Sequence, residues 1–167
     1  MPMPKPAKPK VTIYTDGACS ANGTTQSRGG WAAVLVCDDA DQAKELSGAE
    51  RPATNQRMEI RAVIEGLRAL KKPCNVTVYS DSAYVVSCMN QRWFDRWRRN
   101  GWLNSSKKQV ANRQLWEDLL DAVENGGHRA NFKKVKGHAN LPGHAYSEAE
   151  RYNQRCDELA VAACSVL

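Results

Sequence analysis

Two aspartates occupy matching places in the chain. Asp16 stands near the end of VTIYTDGA (11–18) and Asp81 closes VTVYSD (76–81), and each is followed by a small residue, Gly17 or Ser82. Both stretches read as strands, and in open α/β sheets ligands gather beyond the carboxyl ends of the strands. Two more acids belong with them. Glu59 falls one turn into a helix, and Asp157 stands at the beginning of the last helix, after a long polar loop. Taken singly, each has a plainer reading. Asp157 would favour a helix N-terminus, and Glu59 would pair with Arg57 or Arg61. Four carboxylates brought together would repel one another and raise some of their pKa values. A hard divalent cation removes that conflict, since Mg²⁺ takes oxygen ligands and keeps waters for a substrate. Two such ions about 3.5–4 Å apart can serve both the attacking and the leaving oxygen of a phosphodiester.

The elements that must position these acids follow from periodicity. In VTIYTDGA, Val11, Ile13 and Thr15 point one way and Thr12, Tyr14 and Asp16 the other. A polar, glycine-bearing turn (20–30) leads to an apolar strand, WAAVLVC (31–37), and residues 44–50 read as a third. Pro52 and Thr54 introduce a helix in which Ile60, Val63, Ile64, Leu67 and Leu70 recur at helical spacing, closed by Lys71, Lys72 and Pro73. After the strand at 76–81 come a helix (82–91), a basic Trp-rich segment, a helix around 110–124, a fifth strand at 131–137 and the final helix carrying CDELAVAA. A strand meander followed by alternating helices and strands predicts an α/β domain with a five-stranded mixed sheet flanked by helices. There is no internal repeat and no second domain: residues 1–10, rich in Pro and Lys, read as a disordered basic arm, and 11–167 as one domain.

Charge narrows the partner class. The net charge of +6 divides into +3 on the arm, +5 on residues 92–108 and −2 on everything else, which suits a polyanion gripped at one place. No apolar run approaches the roughly 18 residues of a membrane span, and no signal peptide precedes the fold, so no membrane partner is expected. The six cysteines form no C-x-x-C pair and lie far from histidines in spacing, so they read as reduced, mostly buried thiols of a cytoplasmic protein.

Five motifs stand in order: YTDGAC (14–19), TNQRME (54–59), YSDSAYV (79–85), VKGHA (135–139) and NQRCDELA (153–160). With the Trp-rich segment between the third and fourth, the chain resembles the bacterial type 1 ribonuclease H family from Val11 to about Ala163. The resemblance implies an endonuclease that hydrolyses the RNA strand of RNA–DNA hybrids by two-metal-ion catalysis, leaving 5′-phosphate and 3′-hydroxyl ends. It implies that Asp16, Glu59, Asp81 and Asp157 hold two Mg²⁺ ions, with Mn²⁺ as a substitute. His138 would move a proton near the leaving group, a task suited to an imidazole. Asn22, Asn55 and Gln56 match positions that reach the minor groove, where the 2′-hydroxyl tells RNA from DNA. Thr54 and Asn112 resemble parts of a pocket for a DNA phosphate. In QRWFDRWRRNGWLNSSKK (91–108), Trp93, Trp97, Arg98 and Arg99 resemble the family's basic protrusion, in which some rings pack inward and others meet the DNA. The turn-forming and helix-capping readings of Asn22, Thr54 and Asn55 are compatible with contact. No obligate protein partner is implied, and a monomer is expected.

The chain departs from the family pattern at three points. Ala83 replaces a glutamine expected two residues after Asp81, which removes one RNA contact. Pro52 occupies the place of an expected arginine, with Arg51 beside it. Nineteen positions separate His138 from Asp157, and the longer loop holds His144, also preceded by glycine, as an alternative proton carrier. Lys136 and the preceding strand favour His138. Two other classes share parts of this pattern. A strand-transfer or junction-cutting enzyme would need further domains, and a hybrid-binding module without activity would have lost some of the four acids.

Overall fold

The computed structural model describes residues 7–22, 24–38, 42–135 and 146–167. His138 and His144 lie outside the described residues. Five strands form one sheet in the order β3-β2-β1-β4-β5. β1 (Lys10–Ser20), β2 (Arg28–Cys37) and β3 (Lys44–Glu50) are antiparallel neighbours, whereas β4 (Asn75–Ser80) and β5 (Arg129–Lys134) run parallel to β1. The five-stranded mixed sheet expected from the sequence is the one observed.

From Ile13 onward both faces of β1 are covered, and its alternation sorts its side chains between two cores. Val11 and Ile13 join the larger core under α1 (Asn55–Arg68) and α4 (Arg113–Glu124), while Tyr14 joins a smaller one with Cys156 and Ala160 of α5 (Glu148–Ser165). Tyr14 stacks between Tyr79 and Tyr152, with ring centroids 5.2 and 4.7 Å away. A Cβ on Gly30 would overlap the Ala160 carbonyl oxygen, so the missing side chain lets α5 lie directly on β2.

The helix boundaries have local causes. Thr54 caps α1, its hydroxyl accepting from the Arg57 amide at 3.1 Å, and Ile60, Val63, Ile64 and Leu67 are buried on one stripe. The helix ends at Arg68, before Lys71. α5 begins much earlier than expected. Ser147 and Glu150 form a reciprocal capping box, so Asp157 lies well inside the helix instead of at its start. The start of β1 also shifts, to Lys10. Ahead of it the Pro9 carbonyl accepts from the Asn75 amide at 2.8 Å, and Lys8 Nζ donates to the Gly127 carbonyl at 3.0 Å. β5 stops at Lys134, short of the expected 137. Between β4 and α4 come α2 (Ala83–Asn90) and α3 (Trp93–Asn100), the latter carrying the basic segment. No helix among the described residues is long and apolar enough to cross a membrane.

Candidate active site

The parallel pairing of β1 with β4 ends at Tyr14 and Tyr79. Asp16 and Asp81 lie two residues beyond that row on their respective chains, so the sheet delivers both to one end. β1 itself continues to Ser20 against β2, which makes Asp16 an interior strand residue and leaves it only 3% exposed. The covering of both sheet faces at this level buries it. Glu59 arrives from α1, and Gly17 is what admits it. A Cβ on Gly17 would lie 2.7 Å from the Glu59 amide nitrogen and 2.8 Å from the Met58 Cβ, so only a bare backbone lets the first turns of α1 come this close to β1.

One carboxylate oxygen each of Asp16, Glu59 and Asp81 lies within 4.8 Å of the others. Burial drives the Asp16 carboxyl up to about 8, and the charges of Asp81 and Asp157 push it the same way, against the Gly17 amide that donates to it at 2.9 Å. Burial, followed by the charges of Asp16 and Asp81, raises Glu59 well above the usual carboxylate range. Glu59 Oε2 is enclosed without a hydrogen-bond partner among the described residues. A buried acceptor left unpaired costs about 1–3 kcal/mol, which a bound cation would recover. The three acids fit a hard divalent ion on donor type, closeness and unmet demand. Asp157 stands outside this triad on α5, near enough for its charge to act on Asp16.

Beside the acids, the N-terminus of α1 and the start of α4 build a polar cluster. The Asn55 amide donates to Asn22 Oδ1 at 3.3 Å, Arg57 donates to Asn112 Oδ1 at 3.4 Å, and the Asn112 amide group donates to Gln56 Oε1 at 3.5 Å. Asn22 and Asn112, far apart in sequence, therefore meet Thr54, Asn55 and Gln56 along one ridge. Arg57 and Tyr84 complete it and were not singled out from the sequence. Arg57 also approaches Glu50 at 3.8 Å, and Tyr84 hydrogen-bonds to Gln56 while its ring packs on Trp93 at 5.4 Å. Both sit inside motifs already quoted, TNQRME and YSDSAYV, which was the available signal. Ala83 is exposed, and Arg51 and Pro52 line an open pocket with Thr54 and Arg57.

The protrusion divides its residues between packing and presentation. Trp97 is 7% exposed and packs against Trp102 and Trp116 at 5.7 and 5.9 Å. It is thus chiefly a core residue, forming the floor of a cleft of about 730 Å³ whose walls carry Trp93, Tyr84, Arg96 and Arg99. Arg98 forms an ion pair with Glu124 of α4 and lies 5.6 Å over the Phe94 ring, so its charge is already matched. Arg99 is exposed and forms no ion pair among the described residues.

Carboxylates clustered where the parallel pairing of β1 and β4 ends, with a polar ridge and a basic protrusion alongside, define an α/β domain with a site suited to a divalent cation and a phosphodiester. Comparison with known proteins agrees in detail. A sequence model of the RNase H family matches residues 8–165. The ribonuclease H of Moorella thermoacetica is 51% identical over 158 residues, covering 95% of this chain and 93% of the relative, and that of Chlorobium luteolum is 50% identical over 151 residues, covering 90% and 92%. Among solved structures, LC9-RNase H1, a type 1 RNase H with the type 2 active-site motif, superposes with a TM-score of 0.78 at 29% identity over 98% of this chain and 75% of its own. The PFV RNase H domain does so at 0.76 and 26% identity over 96% and 97%. The chain belongs to the ribonuclease H family.

Proposed function

We propose that this protein is an endonuclease that hydrolyses the RNA strand of RNA–DNA hybrids, leaving 5′-phosphate and 3′-hydroxyl ends. The observation that carries the reading is the meeting of three carboxylates within 4.8 Å, one of them with an unpaired buried oxygen, in a chain of this family. Asp16, Glu59 and Asp81 would hold divalent ions, with Asp157 completing the set from α5. When bound, two Mg²⁺ ions, or Mn²⁺ in their place, supply positive charge to the attacking and leaving oxygens.

The rest of the work falls to the chain. Asn22, Asn55 and Gln56 line the RNA side, where their amide groups can pair with 2′-hydroxyls. Thr54, Asn112 and Arg57 offer donors to a DNA phosphate. Trp93 and Arg99 meet the same strand further along, and Trp97 and Arg98 hold the protrusion that presents them. His138 carries the proton to the leaving oxygen, with His144 as the alternative. Residues 11–167 make up the catalytic domain and residues 1–10 a basic arm whose last three residues, Lys8, Pro9 and Lys10, are joined to it.

Within this reading the protein is a monomer with no obligate protein partner. The six cysteines are free, which supports a reducing compartment, the cytoplasm.

The test is cleavage of matched RNA–DNA hybrid, duplex RNA and duplex DNA, each with Mg²⁺ or EDTA. Loss of the RNA strand in the hybrid alone, only with Mg²⁺, is expected. Equal cleavage of duplex DNA, or full activity in EDTA, would overturn the reading.

A further inference from the structure

α5 lies across β1, β2 and β3 and touches β4 only at its margin. Next to it, no element among the described residues covers the same face of the sheet over the first halves of β1, β4 and β5. Register arranges the side chains there in rows. Lys10 pairs with Asn75 and Asn75 with Arg129; in the following row Thr12 pairs with Thr77 and Thr77 with Asn131. Alternation sends Val76 and Val78 to the opposite, buried face, so all six row residues share the open one. They line a hollow of about 440 Å³, with Asp38 at its rim. Lys10, Arg129 and Asn131 are exposed, and neither cation forms an ion pair among the described residues.

A solvent-facing sheet surface is ordinarily polar, and that alone would call for no ligand. Here, however, two unpaired cations stand two strand spacings apart, roughly 10 Å, across a floor of amides and hydroxyls. Lys, Arg, Asn and Thr are the side chains that contact phosphodiester oxygens. The floor has no apolar pocket to anchor the non-acidic side chains of a protein segment.

We propose that this hollow binds the phosphodiester backbone of a single nucleic-acid strand, as a second contact separate from the cleavage site. It lies at the opposite end of the parallel strands from the carboxylates, since Lys10 precedes Asp16 by six residues, about 20 Å of extended chain. It therefore holds nucleic acid that flanks the scissile position. The proposal rests on the nucleic-acid substrate reading above.

The test uses the full chain in EDTA, titrated with a short single-stranded DNA over a range of salt. The variants are K10Q/R129Q and the charge-reversed K10E/R129E, whose side chains are exposed and whose folding is checked by circular dichroism. The neutral pair should weaken binding about tenfold and reduce the salt slope by about 1.4, near 0.7 per lost phosphate contact. The reversed pair should weaken it further. Cleavage of a short blunt hybrid at saturating Mg²⁺ and substrate should keep its kcat. In the wild type, single-stranded DNA should shift the amide resonances of Thr12, Thr77 and Asn131.

Unchanged affinity and slope in both variants would overturn the proposal. So would displacement of resonance shifts by a poly-glutamate peptide without any response to DNA. If the wild type fails to cleave the hybrid while the variants still lose DNA affinity, the hollow stands and the nuclease reading falls.

Discussion

Gly17 and Glu59 are locked together by backbone, not by side chain: a methyl group at position 17 would sit 2.7 Å from the Glu59 amide nitrogen. The only adjustment open to Gly17→Ala is movement of α1 away from β1, and that movement withdraws Glu59 from Asp16. The substitution should lower stability by about 2 kcal/mol through overpacking. Cleavage should fall by far more than the folded fraction does. A thermal melt beside a kcat measurement checks both; wild-type kcat in a folded variant would show that Glu59 tolerates displacement.

Asp16→Asn and Asp81→Asn should abolish cleavage while leaving the protein folded. For Asp16 the metal-free variant should gain roughly 2 kcal/mol at neutral pH and above, or about 4–8 °C in Tm, because the folded state no longer has to hold that carboxyl protonated near neutral pH or bury its charge at higher pH. Calorimetry in EDTA reads the gain. A variant with near wild-type turnover would remove Asp16 from the chemistry.

The stability of the metal-free protein should depend on pH in a defined direction. The folded carboxyl of Asp16 titrates at about 8 against an ordinary value of 3.8, so the folded state holds the extra proton. Its contribution is present in full below the ordinary value and is lost as pH rises through about 8. Glu59, also raised, adds in the same sense. Melting in EDTA should therefore drop across this window, and Asp16→Asn should flatten the drop.

Mg²⁺ should reverse that trend. It binds the ionised carboxylates, so its stabilising effect should be larger above pH 8 than at pH 6 and should vanish in Asp16→Asn. Melting curves with and without the ion at both pH values measure it. Equal stabilisation at both would place the cation elsewhere.

The two neighbouring arginines should separate. Arg99→Ala should weaken hybrid binding and lower the salt slope by about 0.9, the value for one lost duplex phosphate contact. Arg98→Ala should leave the slope nearly unchanged, since Glu124 already neutralises the guanidinium, and should lower stability by up to about 1 kcal/mol. Salt titrations of the two variants decide it, and a reversed order would mean that the Arg98–Glu124 pair opens on binding.

For the proton carrier, His138→Ala should cost more turnover at saturating metal than His144→Ala. The opposite ranking would transfer the role to His144.

The sheet and the ends of its parallel strands were readable because strand alternation is local: Val11, Ile13 and Tyr14 announce their faces within four residues. Asp16 and Asp81 followed from that reading, and the motif order added Glu59 and Asp157. What escaped was long-range. The burial of Asp16 depends on α5, more than a hundred residues away, and the match between Arg98 and Glu124 spans 26 positions. The early start of α5 was a local signal overlooked, since Ser147 and Glu150 already spell a capping box. Only register sets Lys10 beside Asn75 and Arg129.

The two outermost strands have a further consequence. β3 is seven residues long and carries Lys44, Glu45 and Glu50, and β5 is six residues long and carries Arg129, Lys133 and Lys134. Short borders studded with charge are poor templates for intermolecular sheet growth. A stray strand docking along β5 would have to bring its own acidic groups to offset three cations, which a second copy of β5 cannot do. The layout thereby guards against aggregation at both rims, a protection that neutralising Lys133 and Lys134 together would erode.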